Sequence, residues 1–253
     1  MNQIALVTGA SSGIGRATAL LLARNNYDII TTGRRQENLE TLEEEIRSGS
    51  SAEVLSLAFD IRDHFAVKKA CDNLTGKWEN VDILVNNAGL AAGLSPIHEG
   101  SVDDWEQMID TNLKGLLYIT RLISPGMVSR RKGHIINLGS IAGKEAYENG
   151  NAYNASKFAV DGLTRAMRID LVEYGIKVTS INPGAVETEF SMVRFKGDRE
   201  KADKVYEGFT PLYAEDVSEA ILFAVSRPPH VNVDDMLIMP TAQASAYKVA
   251  RNK

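Results

Sequence analysis

The chain has 253 residues, 44% of them hydrophobic and 24% charged, a globular balance that argues against disorder and can bury a sizeable core. Its 28 basic and 33 acidic side chains give a formal net charge of −5, without the electrostatic footprint of a nucleic-acid binder. The single cysteine, Cys71, excludes an internal disulfide and a cysteine-based zinc site, and the four histidines show no metal-ligand spacing, so no metal is expected.

Residues 1–8 have no basic stretch and only a short apolar run, so they read as a strand and not as a signal peptide. No segment reaches the roughly 18 uninterrupted apolar residues of a membrane span. No membrane partner is expected, and the cytoplasm is the expected address. Further apolar runs follow at 28–32, 54–59, 81–85, 134–138, 177–181 and 236–239, bounded by Gly, Asn, Asp or Pro. Several are rich in Val and Ile, as buried parallel strands are. Between them, residues 36–48 place Leu39, Leu42 and Ile46 at helical spacing, with Gly49 as the expected C-cap. A long helix is expected over 101–127, opening on the capping-box-like Ser101-Val102-Asp103-Asp104. Strands alternating with helices imply right-handed βαβ units and a doubly wound α/β, Rossmann-type parallel sheet with helices on both faces. No linker or repeat interrupts 1–253, which reads as one domain. Residues 183–213 form the longest irregular segment, placed where a lid could sit over a site.

The first strand runs into Gly9-Ala10-Ser11-Ser12-Gly13-Ile14-Gly15, and a helix follows. Glycines let the backbone approach a pyrophosphate, and the helix N-terminus offers free N–H groups. Three glycines alone are weak evidence; strand, turn and helix together point to a dinucleotide. After the second strand, where an NAD site usually places an acid, stand Arg34 and Arg35. Two guanidinium groups suit a phosphate dianion, so NADP is the expected cofactor.

Tyr153 and Lys157 stand four apart, on one face of any helix that carries them. A nearby cation together with an oxidised nicotinamide would bring the phenol from its ordinary value near 10 toward 7, where general-base work is efficient. Upstream, the 134–138 strand ends in Gly139-Ser140, which points a hydroxyl into the crevice of a doubly wound sheet. Asn86-Asn87-Ala88-Gly89 and Asn182-Pro183-Gly184 follow other strands at the same edge.

These residues resemble the short-chain dehydrogenases/reductases over essentially the whole chain. The glycine loop, Asp60, Asn86 to Gly89, Asn112, Ser140, Tyr153, Lys157, Pro183-Gly184 and Thr188 stand in family order. The resemblance implies a seven-stranded parallel sheet. It implies Tyr153 as acid/base and Ser140 as holder of the substrate oxygen. It further implies that Lys157 binds the ribose and lowers the Tyr153 pKa, and that Asn112 holds a water linking Lys157 to solvent. Asp60 would contact adenine, with Ile61 counted beside it among the cofactor residues. Asn87, Ala88 and Gly89 would line the cofactor, and Pro183, Gly184, Val186 and Thr188 would grip the nicotinamide carboxamide.

Residues 182–198, His230-Val231-Asn232 and Met239 to Gln243 resemble a narrower branch, the NADP-dependent 3-hydroxy acid dehydrogenases. That likeness implies small substrates such as L-serine, L-allo-threonine or 3-hydroxyisobutyrate, or the matching 3-oxo acids and semialdehydes. Arg194 is the expected carboxylate partner. Tyr147 and Glu145 are expected in the pocket, Glu145 toward an amino group. Reduction of another carbonyl, such as a 3-oxoacyl thioester or a simple ketone, stays open, as does a non-catalytic NADP(H)-sensing role. The 101–127 helix (Trp105, Met108, Leu116, Leu117) and the Tyr153 helix (Phe158, Val160, Met167) are apolar around much of their circumference. Burial against another subunit is expected, and the resemblance implies a homotetramer.

Overall fold

Each apolar run becomes a strand because its β-branched residues suit a pleated surface buried on both faces. The computed structural model describes residues 2–252. In chain order it contains β1 (Gln3–Val7), α1 (Gly13–Arg24), β2 (Tyr27–Gly33), α2 (Gln36–Gly49), β3 (Val54–Ala58), α3 (His64–Asp72) and β4 (Val81–Asn86). Then come α4 (Val102–Ile109), α5 (Leu116–Arg130), β5 (His134–Leu138), α6 (Asn151–Leu171), β6 (Lys177–Pro183), α7 (Phe190–Arg194), α8 (Arg199–Lys204), α9 (Ala214–Val225) and β7 (Asp235–Ile238).

The seven strands pair in the order β3-β2-β1-β4-β5-β6-β7, all parallel. Side chains of β1 alternate between two cores. Ala5 and Val7 join Leu22, Leu42, Ile46 and Ile221 under α1, α2 and α9. Ile4 and Leu6 join Val67, Ile119, Met127 and Val160 under α3, α5 and α6. Fully burying one Leu, Ile or Val side chain is worth about 1.5–3 kcal/mol, so both faces are strongly specified. Strand order reverses between β1 and β4, which opens a crevice at their carboxyl ends.

Three expectations are corrected. The 101–127 helix is not continuous: Asp110–Gly115 form a π turn between α4 and α5, and α5 runs on to Arg130. Gly49 is the last residue of α2, and Ser50 caps it. The 183–213 segment is not wholly irregular but carries α7 and α8. Ser101 does cap α4, its hydroxyl accepting from the Asp104 N–H at 3.4 Å.

Candidate active site

The glycine loop is built around contacts that no other side chain permits. Gly9 has φ +65, and a Cβ there would stand 2.9 Å from Ala88 Cα. A Cβ on Gly15 would stand 2.5 Å from the Gly9 carbonyl oxygen and collide with the Asn87 amide. Asn87 Nδ2 donates to the Thr8 and Gly9 carbonyls at 2.8 and 3.2 Å, and the N–H groups of Asn87 and Ala88 both donate to Thr8 Oγ1 at 3.0 Å. The loop after β1 is thus sewn to the end of β4. Ser12 caps α1 without a side-chain hydrogen bond, Gly13 rests against Thr188, and Ile14 packs on the α1 core. The glycines therefore leave backbone at the helix N-terminus bare of Cβ atoms, which fits a pyrophosphate.

Arg34 and Arg35 stand exposed at the end of β2. Arg35 reaches Ser11 Oγ at 3.4 Å and pairs with Glu189 at 3.0 Å. Asp60 is held by Arg62 at 2.6 Å. Burial pushes the Asp60 carboxyl up, but the Arg62 hydrogen bonds and the charges of Arg62 and Arg34 bring it below its ordinary value. Asp60 thus already has a guanidinium partner. Ile61 is buried, and a Cβ on Gly115 would meet its Cγ2 at 2.9 Å, so its side chain serves the core.

Tyr153 and Lys157 lie on the first turns of α6, and both are buried. Lys157 Nζ donates to the Leu138 carbonyl at 2.8 Å and lies 5.9 Å from the Tyr153 ring centroid. Ser140 follows β5, and its hydroxyl accepts from the Ala142 N–H at 3.1 Å. Burial pushes the Tyr153 phenol up to about 12, as does the nearby Tyr147, while Arg194 and a hydrogen bond with Ser140 act in the opposite direction. Burial likewise pulls Lys157 down to about 8. Low-dielectric surroundings disfavour both charged forms, and the Arg194 cation works against the rise of the phenol.

Asn112 sits in the π turn, where the widened backbone turns it inward. Its Oδ1 accepts from the Leu90 N–H at 2.8 Å, and its Nδ2 donates to the Leu90 carbonyl at 2.9 Å and to Ser156 Oγ at 3.0 Å. Its side chain is thus committed to protein partners and fixes the segment after β4 against α6. A Cβ on Gly89 would stand 3.2 Å from Asn112 Oδ1 and 3.7 Å from Lys157 Nζ. The far wall follows β6. Pro183 ends the strand, the Gly184 N–H donates to the Ile238 carbonyl at 2.8 Å, and Val186 bridges to Leu212. Thr188 Oγ1 accepts from the Phe190 N–H at 3.2 Å.

Strand, glycine loop, buried serine, tyrosine and lysine thus stand in one crevice, and comparison with known proteins agrees. Residues 3–199 match the family model for short chain dehydrogenase. This chain belongs to that family. It is 47% identical over 245 residues to the NADP-dependent 3-hydroxy acid dehydrogenase YdfG of Salmonella typhi, covering 96% of this chain and 97% of that one. It is 43% identical to sulfoacetaldehyde reductase 2 of Chromohalobacter salexigens, over 100% of both chains. Among solved structures, the closed form of a serine dehydrogenase complexed with NADP+ superposes with a TM-score of 0.92 at 45% identity, covering 99% of this chain and 100% of that one.

In this dehydrogenase α7 lies over Tyr153. Phe190 meets the Tyr153 ring edge-on at 5.6 Å. The Arg194 guanidinium stands 5.0 Å from the Tyr153 ring, 5.2 Å from Phe190 and 5.7 Å from Tyr147. It donates to the Tyr147 hydroxyl at 2.6 Å, and its Nε is buried with no hydrogen-bond partner among the described residues. Tyr147 and Arg194 thus stand beside Tyr153. The Glu145 carboxylate accepts from the Ala246 N–H at 3.0 Å and braces the C-terminal segment.

Four residues of the site were not singled out by role. Thr8 holds Asn87 and Ala88. Gln243 Oε1 accepts from the Ala185 N–H at 2.8 Å. Tyr206 donates to the Val186 carbonyl at 2.8 Å. Arg62 holds Asp60. Only the spacing of Arg62 from Asp60 carried a local signal; the others meet partners 20 or more residues away.

Proposed function

We propose that this enzyme is an NADP-dependent oxidoreductase of small 3-hydroxy acids, such as L-serine, L-allo-threonine or 3-hydroxyisobutyrate, or of the matching 3-oxo acids and semialdehydes. The observation that carries the reading is Arg194. A half-buried arginine whose Nε is buried and unpartnered among the described residues stands over the acid/base tyrosine, where a small anion would meet both. A charge-assisted hydrogen bond to carboxylate is among the strongest available there. The names of the relatives support the same class: one acts on 3-hydroxy acids, one is a serine dehydrogenase and one a sulfoacetaldehyde reductase, whose substrate also carries a small anionic group.

The glycine loop, Arg34 and Arg35 would hold the pyrophosphate and the 2′-phosphate. Asn87 to Gly89, Lys157 and the 183–188 segment would line the rest. The bound dinucleotide supplies the hydride acceptor for alcohol oxidation and the donor for carbonyl reduction. Ser140 and Tyr153 hold the substrate oxygen. In oxidation Tyr153 takes the hydroxyl proton as the hydride leaves the same carbon; in reduction it gives that proton back. The lid (183–213) closes the pocket, and residues 1–253 act as one catalytic domain. The cytoplasm is the proposed address; no helix among the described residues is long and apolar enough to cross a membrane.

A homotetramer is part of the proposal. Most apolar residues of α5 and α6 fill the chain's own core, but Leu117, Phe158 and Ile169 keep 40, 45 and 74% of their surface exposed.

The test is a substrate panel run with NADP and with NAD: L-serine, L-allo-threonine, 3-hydroxyisobutyrate, sulfoacetaldehyde in the reverse direction, and a neutral secondary alcohol. Turnover of the anionic substrates with NADP is expected. Arg194→Ala is expected to raise their KM about 10- to 100-fold, the loss of one charge-assisted hydrogen bond. Arg34→Ala with Arg35→Ala is expected to remove the preference for NADP. Equal turnover of the neutral alcohol and an unchanged KM in Arg194→Ala would sink the acid-specific reading.

A further inference from the structure

Two contacts tie the far end of α7 to the segment between β4 and the first turn of α4. The Gly93 N–H donates to the Arg194 carbonyl at 2.9 Å. Two residues on, Lys196 Nζ reaches Asp104 Oδ2 at 2.9 Å. The pair is asymmetric: the Asp104 side chain keeps only 14% of its surface exposed, the Lys196 side chain 64%. An exposed pair contributes little, but a nearly buried carboxylate is costly unless a cation meets it. Asp104 also lines the small cavity, about 20 Å³, that Tyr153 and Arg194 share. The main chain of Arg194 is thus pinned on one side, while its side chain turns back over Tyr153 and onto the Tyr147 hydroxyl.

We propose that Asp104 and Lys196 form a clasp that sets where the Arg194 guanidinium stands over Tyr153, which makes both of them positioning residues for the anionic substrate. This rests on the reading that Arg194 holds the substrate's anionic group. The clasp acts on the substrate half of the site. It meets α7 at its C-terminal end, whereas Arg35 meets the opposite end through Glu189, so KM for NADP is expected to change little. The asymmetry of burial makes a directional prediction. Removing the lysine strands a buried carboxylate; removing the carboxylate strands only a solvated ammonium.

The experiment is steady-state kinetics on the full-length enzyme with L-serine and with 3-hydroxyisobutyrate. Asp104→Asn is expected to raise KM about fivefold and Lys196→Met about tenfold, with kcat and KM for NADP little changed. The double variant should be no worse than Lys196→Met, and Lys196→Arg should restore the wild-type KM. In an Arg194→Ala background neither substitution should add to the effect. An unchanged KM in both single variants, while Arg194→Ala raises it, overturns the clasp and leaves the carboxylate reading standing. A parallel rise in KM for NADP marks general loosening and also overturns it. An unchanged KM in Arg194→Ala overturns the carboxylate reading and the clasp with it.

Discussion

Tyr153 shows how far burial sets the chemistry of one side chain. With its phenol pushed up to about 12 by burial, Tyr153 is protonated at neutral pH and is by itself an acid. The raised value means the proton is retained below that pH and surrendered above it. Alcohol oxidation, which needs the phenolate, is expected to gain rate as pH rises toward that value, and carbonyl reduction, which needs the proton, to lose it, checked by pH–rate profiles in both directions. Tyr153→Phe is expected to lower kcat about 1,000-fold in both directions and to leave NADP affinity within about twofold, checked by fluorescence titration. A variant keeping a tenth of the activity would refute the acid/base assignment. The residue pair was legible from its spacing of four. Its electrostatics were not, because spacing carries no measure of desolvation: burial raises the phenol, and Arg194, 41 positions away, works against that rise.

At the scale of elements, the glycine loop and the π turn carry the site. Gly15→Ala tests the loop. Its Cβ would press on the Gly9 carbonyl at 2.5 Å and on the Asn87 amide, so backbone must shift. A destabilisation of about 1–3 kcal/mol is expected, read as a lower midpoint in thermal or urea unfolding, with weakened NADP binding. An unchanged midpoint would show that the loop can relax there. The loop was legible in sequence because strand, glycines and helix are contiguous. The π turn was not. Apolar residues at helical spacing run through 101–127, and nothing local marks the widened turn at Asn112. What holds Asn112 is Leu90 and Ser156, 22 and 44 residues away.

For the whole molecule, the parallel sheet buries both faces, yet α5 and α6 leave apolar residues uncovered. Sedimentation is expected to give a mass near four times 27.7 kDa. Leu117→Asp, at a side chain 40% exposed in one chain, should shift the enzyme toward smaller species while keeping its circular dichroism. A wild-type monomer would contradict the assembly. Apolar helices point to this face in the sequence, but composition alone does not separate core from surface. Met108, Leu116, Ile119, Val160 and Met167 are buried within the chain, which leaves Leu117, Phe158 and Ile169 as the apolar surface for a partner subunit.

From the sequence alone one can read the seven strands, the phosphate loop, the paired arginines and the order of Ser140, Tyr153 and Lys157. Each is a contiguous pattern whose cause is local: backbone freedom at glycine, β-branching in buried strands, helical spacing of four. Only the tertiary structure decides that Arg194 lies over Tyr153 from 41 positions down the chain, that Glu145 turns to Ala246, and that Lys196 meets Asp104. These depend on how distant elements dock and how much water they exclude, and one-dimensional spacing holds no record of either.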